Sequence, residues 1–224
     1  MIDGIKSFFN SKFTPSEKDF EGKGMLSPAQ FVQAGDQLAS NFGWKWQSSL
    51  GKPSKLLPAE KQYLTAPATS MARIRSLVQQ QIVEKAGNEH GFVEIEGDDA
   101  VEEREEDIRK YSMYISYDDY YFTPRLWIKG NAFNGAPLTS KQIFEDIYSE
   151  YQNETVTEEN CPFLECRMLT IHPCKHSEVM KRFVGESKAK GKIIKPHQAL
   201  IIFLKFMSSV MPTVHYDYTP DIEI

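Results

Sequence analysis

The sequence has no apolar run long enough to cross a membrane. Its longest, Ala199 to Leu204, falls far short of the ~18 residues a spanning helix needs. The opening residues, Met-Ile-Asp-Gly-Ile-Lys, lack a secretory pattern. Cysteine is scarce. There are three in 224 residues, so a disulfide framework is not expected and a reduced, cytoplasmic compartment is. No two of them stand in the C-x-x-C spacing of a common zinc site. Internal repeats are absent. Positive charge is not in excess either, and a net charge of −5 argues against bulk nucleic-acid binding.

What is present describes a folded protein. The hydrophobic share is 41% and the charged share 25%, ordinary for a globular chain. The length suits one sizeable core with appendages. Charge is segregated. Residues 94–107 hold nine acids and one arginine, a local charge of −8, which leaves +3 for the rest. Lys175 to Lys195 holds seven Lys/Arg and two Glu, or +5. Each block needs its own explanation.

Met1, Ile2, Ile5, Phe8, Phe9 and Phe13 recur at helical spacing, opposite Asp3, Lys6, Ser7 and Asn10. Such a helix is too short to stand alone in water. It docks either on the protein's own core or at a membrane interface. Thr14-Pro15-Ser16-Glu17, Ser27-Pro28-Ala29-Gln30 and Thr139-Ser140-Lys141-Gln142 read as capping boxes. The second opens a core helix over residues 28–40. Residues 43–46 suggest a short aromatic strand or loop, and residues 62–65 a strand. Residues 94–107 cannot bury themselves and read as a flexible acidic linker. Beyond them, alternation from Tyr111 to Tyr117 predicts a strand, Asp118-Asp119 a turn, and residues 125–129 a second strand. Asn134-Gly135 is a turn. After Thr155-Val156-Thr157 the stretch around Pro162 reads as irregular. Residues 177–188 predict a helix with Val179, Met180 and Phe183 inward. Ala199 to Met211 is apolar on nearly all sides, a buried helix with strand as the alternative.

Cys174 stands out chemically. It lies between His172 and His176, next to Lys175, and a helix is expected to begin just after it. A positive setting and a helix start both favour a reactive thiolate, which attacks carbonyls and thioesters. An ordinary half-buried cysteine fits the residues equally well. Cys161, Cys166, His172, Cys174 and His176 have zinc-ligand chemistry, but their spacing is wrong. A cysteine protease would need an orienting Asn or Asp and a protease signature that is not found. Phe92-Val93-Glu94-Ile95, flanked by acids, has the form of a strand-adding peptide, though a short edge strand accounts for it better.

Several segments together resemble the autophagy-related protein 3 family of conjugating enzymes. They include His172-Pro173-Cys174-Lys175-His176, Gly24 to Phe31 with Ala34-Gly35-Asp36, Leu57-Pro58 and Lys61 to Leu64. Further along come Tyr117 to Tyr121, Thr123 to Trp127, Glu145-Asp146-Ile147 and Thr155-Val156-Thr157. The match closes with Phe203 to Phe206, Pro212-Thr213 and Tyr216 to Thr219. The autophagy-related protein 10 enzymes share the His-Pro-Cys element but not this C-terminal signature.

The resemblance implies an α+β, ubiquitin-conjugating-enzyme-like core, mainly an antiparallel sheet flanked by helices, with an N-terminal amphipathic helix. Residues 1–24 would be a membrane-seeking arm, residues 25–93 and 108–219 a single core, and 220–224 a tail. It implies that Cys174 takes autophagy-related protein 8 as a thioester from the activating enzyme, autophagy-related protein 7. The acceptor would be the amine of phosphatidylethanolamine. Thr155 matches a family threonine near the catalytic cysteine, and His176 the second histidine of the motif. A thioester is already activated, so neither cofactor nor metal is called for. A hydroxyl at Thr155 would orient the cysteine or support an oxyanion. His176 would accept a proton or shape the loop.

Family members carry an amphipathic terminal helix that contacts membrane, so the resemblance favours the membrane reading of Ile2, Ile5, Phe8 and Phe9. The protein would then be cytoplasmic and peripheral on autophagic membranes. Members also carry a long acidic insertion that docks the activating enzyme and the autophagy-related protein 12–5 conjugate. Here it shrinks to residues 94–107, leaving Glu102, Glu103, Glu105, Glu106 and Asp107 as a docking strip. The family's handle after the catalytic helix shrinks to residues 188–196. The competing class is a non-catalytic scaffold of the same fold.

Overall fold

The computed structural model describes residues 15–16, 18–67, 70–73, 108–148, 151, 155–212 and 214. The arm residues Ile2, Ile5, Phe8 and Phe9, the Phe92-to-Ile95 motif, the acidic linker with Glu102, Glu103, Glu105, Glu106 and Asp107, and the tail lie outside them. In chain order the elements are α1 (Asp19–Lys23), α2 (Pro28–Phe42), β1 (Lys45–Gln47), β2 (Tyr63–Thr65), β3 (Ser70–Arg73), β4 (Ile108–Asp118) and β5 (Thr123–Ala132). Then follow α3 (Ser140–Glu145), β6 (Val156–Cys161), β7 (Cys166–Ile171), α4 (His176–Ala189) and α5 (Ala199–Val210). Short 3-10 turns, Pro173–Lys175 and Pro196–Gln198, lead into α4 and α5.

The strands form one antiparallel sheet in the order β1-β2-β4-β5-β7-β6. Strand β3 pairs with β4 over Ile108 to Tyr111, while β2 pairs over Tyr114 to Ser116. Both therefore share the edge of β4 that β5 leaves free. With its flanking helices this is the α+β arrangement expected.

Alternation sorts the two faces. Tyr111, Met113, Ile115 and Tyr117 of β4 enter the main core with Leu126 and Ile128 of β5 and Leu169 and Ile171 of β7. Helix α5 fills that core and packs on α2 and α4. Its Ala199 to Leu204, Met207 and Val210 are all buried, so residues apolar on every side form a helix and the strand alternative drops out. Each of these side chains larger than alanine contributes about 1.5–3 kcal/mol on burial. Helix α2 opens with the expected capping box: Gln30 N–H donates to Ser27 Oγ at 3.2 Å and Ser27 N–H to Gln30 Oε1 at 2.9 Å.

The opposite face carries a smaller cluster, Tyr63, Trp127, Cys161, Phe163 and Met168. This corrects the reading of the Pro162 region as irregular. Residues 156–171 form the β6–β7 hairpin, paired from Val156↔Ile171 to Cys161↔Cys166. The polar run Thr157 to Asn160 hid the strand, because β6 is an edge strand and its outward residues are exposed or half-buried. Phe163, at the hairpin turn, stacks on Tyr63 with ring centroids 4.1 Å apart.

The core also reaches into the segment read as an arm. Phe20 in α1 is fully buried in the main cluster, and α1 packs on α4. Gly24 closes α1 at φ +69°, and a Cβ there would lie 2.0 Å from the Ser177 carbonyl oxygen. Only glycine allows that close approach. Of the first capping box, Thr14 and Glu17 lie outside the described residues. Ser16 instead donates its N–H (2.6 Å) and hydroxyl (2.8 Å) to Asp19 Oδ2.

Candidate functional site

The end of the β6–β7 hairpin builds the site. Past the last pair, Val156↔Ile171, His172 N–H donates to the Thr155 carbonyl. Thr155 and the His-Pro-Cys element are 17 residues or more apart in the chain, and the hairpin register brings them together. Thr155 is buried and its hydroxyl donates to the Tyr151 carbonyl at 3.2 Å.

Pro173 opens the 3-10 turn, where its missing N–H costs nothing. The His172 imidazole closes the turn from behind: its Nδ1 accepts the Cys174 N–H at 3.2 Å. Cys174 is exposed at the head of α4. Tyr121, from the β4–β5 turn, sets its ring edge-on to His172 at 5.4 Å. Burial raises the Tyr121 phenol's pKa, and the neighbouring Cys174 sulfur adds to that rise. Tyr121 is thus a member of the site that spacing did not single out. Its one sequence signal was membership of the Tyr117-to-Tyr121 segment.

The other two cysteines are differently placed. Cys161 is buried, and burial pushes its thiol up to about 11. It faces the half-buried Cys166 across the hairpin, at the strand ends remote from Thr155 and His172. Among the described residues no three His, Cys, Asp or Glu side chains converge as metal ligands.

His176 is the first residue of α4 and is only 2% exposed. Its Nδ1 lies 3.0 Å from the Pro124 carbonyl, so Nδ1 carries the proton and donates, tying α4 to β5. The ring packs against Phe203 and Phe206 at 5.4 and 5.9 Å. Burial above all drives its pKa down from 6.5 to about 4. Arg125 and His172 push the same way, while the Pro124 carbonyl and Asp118 oppose. At neutral pH this is a neutral imidazole that holds a proton weakly.

A stability consequence follows with a definite sign. Between about pH 6.5 and 4 the unfolded chain binds a proton at this residue and the folded chain does not. Stability therefore falls as pH drops through that window, by up to ~1.4 kcal/mol per pH unit. Thermal melts of the protein and of His176→Asn across pH 4–7 should show the difference between them shrinking toward acid. A pH-independent difference would contradict it.

Thr155, His172, His176, Tyr151, Ile171, Lys175, Val179, Arg182 and Phe206 line a cavity of about 350 Å³ beside the Cys174 turn. Val179 thus stands half-buried in a cavity wall. The buried stripe of α4 is His176, Met180, Val184 and Ser187, with Phe183 packed against the core as expected.

Residues 30–218 match the family described as autophagocytosis associated protein, active-site domain. Autophagy-related protein 3 of Schizosaccharomyces pombe is 32% identical, over 92% of this chain and 93% of its own length. That of Arabidopsis thaliana is 28% identical over 92% and 90%. That of Dictyostelium discoideum is 44% identical over 50% of this chain and 33% of its own length. The alignment with the S. pombe protein runs over 265 positions, more than the 224 residues here, so that relative carries insertions. With the family's active-site domain spanning the sheet, the Cys174 turn and both flanking helices, the chain belongs to the autophagy-related protein 3 family and has a role in autophagy.

Proposed function

We propose that Cys174 carries autophagy-related protein 8 as a thioester and hands it to the amine of phosphatidylethanolamine. The observation that carries this reading is the placement of Cys174. It is exposed on a rigid turn capped by His172, while Cys161 and Cys166 are drawn into the hairpin. In charging, the Cys174 sulfur attacks the thioester carbonyl on the activating enzyme, autophagy-related protein 7. A new C–S bond forms, the old one breaks, and the electron pair leaves on the activating enzyme's sulfur. In transfer, the lipid amine attacks the Cys174 thioester. A C–N bond forms, the C–S bond breaks with its electron pair returning to Cys174, and the amine loses a proton to water.

On this reading Thr155 turns its hydroxyl from the Tyr151 carbonyl toward the developing oxyanion. His176 acts as a positioning residue that holds the head of α4 on β5. Single-turnover discharge of pre-charged Thr155→Val and His176→Asn proteins reads both roles. The test of the whole is direct. Incubation with activating enzyme, ATP and autophagy-related protein 8 should yield an adduct that thiol reductant removes. No such adduct would sink the reading.

Two further parts of the proposal rest on sequence. If the helical spacing of Ile2, Ile5, Phe8 and Phe9 is realised as an amphipathic helix, its apolar side would hold the protein peripherally on autophagic membranes. Phe8→Asp should then reduce flotation with phosphatidylethanolamine vesicles, and unchanged flotation would refute it. Glu102, Glu103, Glu105, Glu106 and Asp107 would dock the activating enzyme, and the autophagy-related protein 12–5 conjugate where that partner is engaged. Replacing all five by serine should slow charging in the same assay.

A further inference from the structure

Two thiols stand opposite one another at the tip of the β6–β7 hairpin. Cys161 ends β6, Cys166 begins β7, and together they are the last pair of the register. Directly opposed residues of an antiparallel pair have Cα atoms about 4.5–5.5 Å apart. That separation falls inside the ~4.4–6.8 Å that a disulfide spans. Opposed residues also point to the same side of a sheet. Cys161 accordingly lies in the small cluster with Tyr63, Trp127, Phe163 and Met168, and Cys166 packs against it. Both are free thiols.

The turn between them is held from two sides. Within it, Glu165 N–H donates to the Cys161 carbonyl at 2.9 Å. From outside, Leu50 N–H donates to the Phe163 carbonyl at 2.9 Å and Lys52 N–H to the Pro162 carbonyl at 2.7 Å. The stack of Phe163 on Tyr63 pins it further. The two sulfurs are thus carried by a turn already in place, which raises their effective concentration toward each other. Their settings differ. Cys166 is half-buried and meets solvent, while Cys161 is buried. Burial raises the pKa of Cys161, and the N–H groups of Leu164 and Phe163, which bond its sulfur, oppose the rise. Those donors steady the sulfur when it carries charge.

We propose that Cys161 and Cys166 form a reversible dithiol–disulfide site, oxidised by glutathione disulfide, that ties the edge strand β6 to β7 at the hairpin tip. Cys166 reacts first. Its thiolate attacks one sulfur of glutathione disulfide, a protein–glutathione S–S bond forms, and one glutathione leaves with the electron pair of the broken bond. The Cys161 thiolate then attacks the Cys166 sulfur, and the second glutathione leaves in the same way. The protons given up by the two cysteines end on the two glutathione thiols. The protein loses two electrons and one glutathione disulfide gains them. The pair sits at the other end of the hairpin from Val156↔Ile171, so it is separate from the Cys174 turn and independent of how Cys174 is read.

The test equilibrates the full-length protein in glutathione buffers of graded poise, quenches with acid, alkylates the remaining thiols and maps tryptic peptides by mass spectrometry. Cleavage after Lys141, Arg167 and Lys175 puts Cys161 and Cys166 on one peptide and Cys174 on another. The first peptide should lose two hydrogens and take up no alkylating agent. The equilibrium constant against glutathione should be at least ~10-fold larger for the folded protein than for the same protein in urea, because the register holds the sulfurs together. Cys161→Ala should stop at a mixed disulfide between Cys166 and glutathione. Cys166→Ala should leave Cys161 unmodified while folded. A wild-type protein that stops at the mixed disulfide, or whose Cys166 does not react, overturns the proposal. Equal constants in the folded and unfolded protein overturn it too, as does a disulfide joining Cys174 to either thiol.

Discussion

Cys174→Ala is expected to remove the reductant-sensitive adduct completely, and Cys174→Ser to replace it with an ester that survives reductant. Sulfur is the better nucleophile and the better leaving group, so serine stops at the first step. No other residue can substitute. Cys161 is buried with its thiol pushed up to about 11. Cys166 starts β7 and His172 follows its end, which separates Cys166 from the turn by about 20 Å of extended chain. Gel analysis with and without reductant reads the result. A reductant-sensitive adduct on Cys174→Ala would show that the reacting sulfur lies elsewhere.

Asp146→Ala should destabilise the fold by ~2–4 kcal/mol, because it removes the buried carboxylate shared by Arg109 and Tyr111 and leaves Arg109 only the half-exposed Glu145 as a counter-charge. Asp146 is fully buried at the end of α3. Its Oδ2 accepts from Tyr111 Oη at 2.5 Å and from Arg109 Nη1 at 3.0 Å. Arg109, itself 7% exposed, also reaches the Gln142 carbonyl and Glu145 Oε2. Burial and the Asp146 carboxylate both hold the Tyr111 phenol well above its ordinary pKa, so it donates throughout the physiological range. Tyr111→Phe removes one bond without stranding a charge and should cost only ~1–2 kcal/mol. Denaturant unfolding measures both, and a loss below ~1 kcal/mol for Asp146→Ala would mean the network contributes little. The damage should also reach the site. Tyr148 N–H bonds the Val210 carbonyl, Tyr151 N–H the Tyr148 carbonyl, and Thr155 N–H the Tyr151 carbonyl. That chain of contacts links α3 to the residue opposite His172, so transfer should slow even where the protein remains folded.

Local chemistry was legible where it repeats at short range. Ser27 with Gln30 and Thr139 with Gln142 wrote two helix starts, and both are capping boxes. Tyr111 to Tyr117 wrote β4 by alternation. The β6–β7 hairpin was not legible, since Val156 to Cys161 has polar residues at four successive positions. Its distant apolar partners, Tyr63 and Trp127, come from two other segments of the chain. Val179 read as core by periodicity, yet its environment depends on what lies across from it, and that is a cavity.

The sequence alone determined the element around Cys174. It set a cysteine after proline, between two histidines and before a helix, and it set the separation of acidic and basic blocks. Tertiary structure decided what those residues do. Both histidines flank Cys174 at the same distance in the chain. One stays partly open, with its Nδ1 capping the Cys174 N–H. The other is turned inward, tied to Pro124 and kept neutral by burial among Phe203 and Phe206. Burial and partner geometry are long-range properties, set by the hairpin register and the packing of α5. No spacing within His-Pro-Cys-Lys-His could distinguish them.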